Sequence, residues 1–224
     1  MSFEFEARFF CSMLAGSGSK PKRILVVGCG DGIEAEHIAR ETGAKVTGID
    51  LDVDARLRRP GVELMRGDAR ALPFRDGMFD ALYCYHVLEH VPGPGRAIRE
   101  CRRVLTPGAV AFFGTPNRVR LVGYLGGRAT TWQKVKWNLA DWGRRLTGQW
   151  RNETGAHAGF SGGELSRLLA EAFPRVESVS LLYYVGKYPR LEGAWRTSFQ
   201  LGVGQFFAPS VYFRVLSGGP GPGR

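Results

Sequence analysis

Cysteine is scarce and unpatterned in this chain. Cys11, Cys29, Cys84 and Cys101 lie far apart, with no C-x-x-C pair and no histidine at zinc-ligand spacing. That excludes a disulfide scaffold and a structural zinc site, and no metal is expected. Small, partly buried thiols in a reducing compartment are the reading that remains. No apolar run approaches the ~18 residues of a membrane-spanning helix. The opening stretch MSFEFEARFFCSMLAG carries Glu4 and Glu6 ahead of a short apolar patch, so it does not read as a secretory signal. A cytoplasmic protein is the expectation. There is no internal repeat. With 44% hydrophobic and 23% charged residues the composition excludes wholesale disorder and a collagen-like fibre. The 224 residues suit one domain with a decorated edge.

Acids and lysines are also few. Twenty-one Asp+Glu face thirty-one Lys+Arg, only six of them lysine, and the formal charge is +10. The excess is local. Residues 118–151 hold Arg118, Arg120, Arg128, Lys134, Lys136, Arg144, Arg145 and Arg151 against the single acid Asp141. That is +7 in 34 residues, and the stretch also holds Trp132, Trp137, Trp142 and Trp150, four of the five tryptophans. The rest of the chain is close to balanced, so its charge says little about a polyanionic partner.

After a short N-terminal arm and the linker GSGSKPK, the chain alternates apolar strands with helices. RILVVG (23–28) is a continuous apolar run of the kind a strand buried on both faces shows. IEAEHIARETG reads as a helix closed by Gly43, with His37 on its surface. AKVTGID is a second strand ending at Asp50, VELMRGDA a third and FDALYCY (79–85) a fourth. A helix over 94–105 precedes the fifth strand, AVAFFGT (109–115). This order predicts parallel strands with right-handed crossovers, a doubly wound α/β sheet. Beyond the basic stretch, Ser161 and Glu164 form a capping box opening the helix LSRLLAEAF. VESVSLLYYV and SVYFRVL are two further strand candidates for an antiparallel edge, and the tail SGGPGPGR reads as disordered.

Gly28, Gly30 and Gly32 fall between the first strand and the first following helix. Glycines there let the backbone turn sharply and approach a ligand, whose anionic group can meet the helix N-terminus. Asp50 lies twenty residues after Gly30 at the end of the second strand, where a carboxylate can accept both hydroxyls of a ribose. Together they point to a nucleoside-type cofactor. The third glycine comes one residue early for the nicotinamide fingerprint, with Ile33 in the usual third position, which disfavours a nicotinamide-dependent oxidoreductase.

The loop ILVVGCGDG resembles the first motif of the class I S-adenosylmethionine-dependent methyltransferases, in particular the methyltransferase type 11-like group. The resemblance continues through GID at Asp50, GDARALPF (67–74), FDALYCYHVLEHV (79–91) and LTPGAVAFFGTPN (105–117). It implies a Rossmann-like, mostly parallel seven-stranded sheet with an antiparallel edge and a helical insert after the fifth strand. The implied cofactor is S-adenosylmethionine, held by Gly28, Cys29, Gly30, Gly32, Asp50, Leu51, Asp68, Ala69, Cys84 and Tyr85. Asp50 would take the ribose, and Asp68 with Ala69 the adenine. Val26 stands where many relatives carry an acid towards the methionine amino group, which would then rely on backbone carbonyls near Gly28 and on the strand end around Cys84 and Tyr85. The implied chemistry is attack of an acceptor on a sulfonium methyl, in which the protein mainly aligns the reacting atoms and excludes water. His157, before the capped helix, resembles a histidine that relatives place at the acceptor pocket and is the first candidate for a base or acceptor-orienting group. His86 and Tyr85 follow it, while His86 and His90 also read as groups that only pack beside the cofactor.

The expected organisation is an arm over 1–22, a cofactor-binding core over 23–117, a basic tryptophan-rich insert over 118–156, the rest of the fold over 157–217 and a disordered tail over 218–224. Within the insert Trp132, Val135, Leu139, Trp142 and Leu146 fall at steps of three and four, on one helical face. Three readings follow for it. It is a lid packing over the acceptor pocket, an interfacial helix giving peripheral membrane contact through 118–151, or a nucleic-acid face. The lid ranks above membrane contact, both suit a small-molecule or lipid-like acceptor, and nucleic acid ranks last. The rivals for the whole chain are a catalytically idle relative acting as a binding protein and a methyltransferase acting on nucleic acid.

Overall fold

The computed structural model describes residues 4–18, 20–54, 56–123, 130–152 and 158–218. The apolar runs become the strands β1 (Arg23–Val27), β2 (Lys45–Asp50), β3 (Val62–Arg66), β4 (Phe79–Tyr85), β5 (Leu105–Pro116), β6 (Arg175–Ser178) and β7 (Ser210–Leu216). They form one sheet in the order β3-β2-β1-β4-β5-β7-β6. β1 to β5 run parallel, and β7 pairs antiparallel with both β5 and β6. The order reverses between β1 and β4. In an open parallel sheet that reversal leaves a crevice at the strands' C-terminal ends, where ligands bind.

Alternation along each strand splits the core into two layers. Tyr83, Tyr85, Phe112 and Tyr212 face α1 (Glu4–Gly16), α2 (Ile33–Thr42) and α6 (Ser180–Lys187). Leu82, Cys84, Phe113 and Phe213 face α3 (Pro94–Arg103) and α5 (Gly162–Ala170). The N-terminal segment is thus part of the core: Ala7, Phe10 and Leu14 of α1 are buried. Its buried Glu6 accepts from Tyr183 Oη and, at 2.9 Å, from Lys187 Nζ.

Local expectations are corrected at LLYYV and His37. LLYYV is helical: β6 stops at Ser178 and α6 begins at Ser180. Tyr183 and Tyr184 are buried there by reaching Glu6 and the Ser210 carbonyl, contacts that outweigh the strand preference of the aromatic run. The segment after α6 forms α7 (Glu192–Gln200) and α8 (Gly204–Phe207). His37 is buried against α1, and burial lowers its pKa. Ser217, the last residue of the expected 157–217 segment, is buried and donates to the Thr106 carbonyl at 2.6 Å, while residues 219–224 lie outside the described residues.

The insert carries α4 (Thr131–Leu146), opened by a capping box of Thr130 and Gln133. The chain returns to the sheet at Gly159, whose N–H and carbonyl bind the Asn152 amide at 2.7 and 3.2 Å. Gly159 has φ +73°, and a Cβ there would lie 1.8 Å from the Pro116 carbonyl oxygen, so no other residue fits this crossing. The join places Ala158, Gly159 and Phe160 at the C-terminal end of β5, beside the crevice.

Candidate functional site

The crevice starts from the turn leaving β1. Gly28, Gly30 and Gly32 adopt φ +72°, +50° and +81°. The Gly28 and Cys29 N–H groups donate to the Ile49 carbonyl, tying the turn to the end of β2. A Cβ on Gly28 would meet Val87 at 2.1 Å, whereas one on Gly30 would enter open space. The loop is therefore closed beneath and open above, as a cradle for a bound group must be.

Asp50 joins the two halves. One carboxylate oxygen accepts from Gly30 N–H at 2.9 Å and the other from Asp52 N–H at 3.1 Å. The carboxylate is held in place while each oxygen keeps a lone pair for a ligand hydroxyl. Beside it Leu51 and Ile33 expose apolar side chains, which is uncommon next to a polar turn and suits the flat face of a base. Cys29 is buried, and its thiol is pushed up to about 12 chiefly by that burial. It packs under Gly48 and is inert.

Asp68 follows β3 and is clamped by Arg70, which donates to its carboxylate at 2.7–3.1 Å and holds its pKa below the usual carboxylate value. Ala69 is buried next to it. On the far side of the crevice Cys84 and Tyr85 end β4, both buried, with their pKa values driven far up by burial. A phenol in that state keeps its proton at neutral pH. It stacks on Tyr212 with Gly114 between the rings, where a Cβ would lie 2.7 Å from Tyr85.

His86 follows immediately with φ +56°, the single described non-glycine residue in the left-handed region. Such strain persists where the surroundings impose it, and it collects at functional sites. The imidazole lies 4.1 Å from the Tyr85 ring and is partly exposed. Glu89 sits in the short 3-10 turn Leu88–His90, with Oε1 3.8 Å from His86 Nδ1 and 3.9 Å from His90 Nε2. Its carboxyl is buried, neither oxygen has a hydrogen-bond partner among the described residues, and burial pushes its pKa up to about 7. Glu34, in the first turn of α2, is raised to about 8 by burial and accepts from Tyr83 Oη at 3.1 Å. Sequence reasoning passed over both acids. Glu89 carried a readable signal, a carboxylate between two histidines in an apolar run, but Glu34 looked like an ordinary first-turn helix acid.

The structure thus brings Gly28, Cys29, Gly30, Gly32, Asp50 and Leu51 to one side of the crevice and Cys84, Tyr85 and His86 to the other. Val26 is fully buried in the floor, paired with Gly48 and Tyr83. His157 lies outside the described residues, one position before the buried Ala158.

Residues 25–113 match a family described as a methyltransferase domain. A ubiquinone biosynthesis O-methyltransferase of Sodalis glossinidius (strain morsitans) is 44% identical over 109 residues, covering 43% of this chain and 42% of that protein. The enzyme of the same name from Shewanella pealeana is 44% identical over 107 residues, covering 43% and 44%. The match therefore spans less than half the length of these curated relatives. Among solved structures, a Haemonchus contortus phosphoethanolamine N-methyltransferase bound to S-adenosylhomocysteine superposes with TM-score 0.57 at 15% identity, over 94% of this chain and 53% of that one. The cyclase SpnF does so with TM-score 0.56 at 20% identity, over 96% and 82%. These last two likenesses concern the fold alone, and one fold hosts different chemistries.

Proposed function

We propose that this chain, whose residues 25–113 match a methyltransferase domain, is a class I S-adenosylmethionine-dependent enzyme that transfers a methyl group to a small, lipid-like acceptor. The observation that carries this is the hydrogen bond from Gly30 N–H to Asp50, which fixes the open glycine turn and the ribose-binding carboxylate as one unit. The residues fit the cofactor. The space above Gly30 admits a close approach, the spare lone pairs of Asp50 suit ribose hydroxyls, and exposed Leu51 and Ile33 flank them. Ala69 N–H and Asp68 are assigned to the adenine, with Asp68 sharing its carboxylate with Arg70. Cys84 and Tyr85 close the methionine side.

The bound cofactor supplies an electrophilic sulfonium methyl. The chain's own residues orient the acceptor, exclude water and take the proton that an O–H acceptor releases as its oxygen–carbon bond forms and the sulfur–carbon bond breaks. His157 and His86 are the groups assigned to that proton, and Tyr85 to orientation. The buried Val26 offers no carboxylate to the methionine amino group, which points to weaker cofactor binding rather than to lost activity.

The O-methyltransferase relatives named for ubiquinone biosynthesis suggest a phenolic acceptor with an apolar tail. Incubating the chain with S-adenosylmethionine and polyprenylated catechols tests this, with release of S-adenosylhomocysteine as the readout. Release that depends on the acceptor and falls at least about tenfold in His157→Ala supports the reading. No release with catechol, phenol or amine acceptors, from protein that binds S-adenosylhomocysteine, would make the chain a binding protein instead.

A further inference from the structure

The helix α4 is docked the wrong way round for a soluble protein. Amphipathic helices normally bury the apolar face and expose the polar one. Here the side turned to the body is Lys134, Asn138, Asp141 and Arg145, at steps of four, three and four, and only Asp141 on the helix is buried. This face is held by polar contacts. Asp141 binds Arg120 at 3.1 Å, Asn138 Oδ1 accepts from Gly123 N–H at 2.6 Å, and Arg145 donates to the Arg118 and Arg120 carbonyls. The apolar stripe faces solvent instead, with Trp132 71%, Leu139 64% and Leu146 85% exposed and Val135 and Trp142 also exposed.

The helix is held by its capping box, the buried Arg120–Asp141 pair and the bond from Trp142 Nε1 to the Leu121 carbonyl, which leaves Trp132, Val135, Leu139 and Leu146 of the stripe outside its docking. The exposed apolar surface also continues past the helix. Leu121 and Val122 are exposed at its base, and Leu121 N–H donates to the Phe206 carbonyl, next to the exposed Phe207 of α8.

We infer that α4 is a membrane-surface helix that lays its tryptophan–leucine stripe into the headgroup region of an anionic bilayer while its polar face stays on the enzyme. The charge decides the partner. Asp141, the sole acid of residues 118–151, lies between Arg120 and Arg144 and offsets only one of their two charges, so the helix's outer surface combines apolar side chains with Lys136 and the exposed part of Arg144. An anionic lipid surface matches both components at once. A second copy of the chain would bring like charges together, and a nucleic acid would leave leucine and valine unsatisfied. No described helix is long and apolar enough to cross a membrane, so the contact lies on the surface. This names where the lipid-like acceptor is met and rests on that reading for its purpose. Its geometry stands without it.

Co-sedimentation of the full chain with phosphatidylcholine vesicles, with and without phosphatidylglycerol, tests the inference. The chain pellets with the anionic vesicles. Leu139→Gln weakens that binding about fivefold, the loss expected for one half-immersed leucine. Lys136→Ala weakens it by about fivefold, and only on anionic vesicles. Both variants alter exposed side chains, so their melting curves and S-adenosylhomocysteine binding match the parent. Absence of pelleting, or pelleting unchanged in Leu139→Gln, overturns the inference. So does a dimer that Leu139→Gln dissociates, or retention on single-stranded RNA in preference to vesicles. Vesicle binding without S-adenosylhomocysteine binding would sink the cofactor reading alone.

Discussion

Two carboxylic acids near the crevice carry their protons to unusually high pH. Glu34 is raised to about 8 and Glu89 to about 7, both mainly by burial, against an ordinary value of 4.5. Above 4.5 the unfolded chain has released these protons while the folded protein still holds them. Stability therefore falls as pH rises, until about 7 for Glu89 and about 8 for Glu34. Glu34→Gln removes one of these losses. Its melting temperature should rise relative to the parent as pH goes from about 5 to 8, with little difference at the acid end. A parent and variant that shift in parallel would show that Glu34 ionises normally. At this scale the cofactor side was legible in the sequence, because Gly28, Gly30, Gly32 and Asp50 are set by spacing along one βαβ unit. The burial of Glu34 and His37 was not, since it arises from α1 and Tyr83, which are distant in sequence.

The helices show how pattern and packing part company. The periodicity of residues 132–146 placed α4 correctly, but the leading reading, a lid with its apolar stripe packed inward, is corrected: the stripe is exposed and the polar face meets the body. That was settled by Arg120, whose burial requires an acid, and Asp141 lies on the polar side. A buried pair is costly to break on one side only, because the remaining charge stays desolvated. Asp141→Ala should then cost about 3 kcal/mol locally. Hydrogen exchange across residues 131–146 should accelerate by about two orders of magnitude while the sheet is unaffected. Unchanged protection in the helix would mean that other contacts dock it. In α6 the error ran the other way. LLYYV reads as a strand from its aromatic and branched residues, but the hydroxyls of Tyr183 and Tyr184 find Glu6 and the Ser210 carbonyl only from a helix.

For the molecule as a whole, the strand order places the reversal between β1 and β4, and every cofactor candidate among the described residues gathers at that edge of the sheet or the loops leading from it. That much followed from alternating strands and helices. The two antiparallel strands close the other edge and set the return at Gly159 beside the crevice. Charge divides along the same line, a nearly balanced core beside an insert of +7. We propose that the glycine turn and Asp50 act as one nucleoside-binding unit. Isothermal titration of the chain with S-adenosylhomocysteine, alongside Asp50→Ala, is the test. Saturable one-to-one binding is expected, weakened at least about tenfold by Asp50→Ala, as loss of charge-assisted hydrogen bonds to a ribose requires. No heat at millimolar ligand from folded protein, or equal affinity in the two proteins, would contradict it.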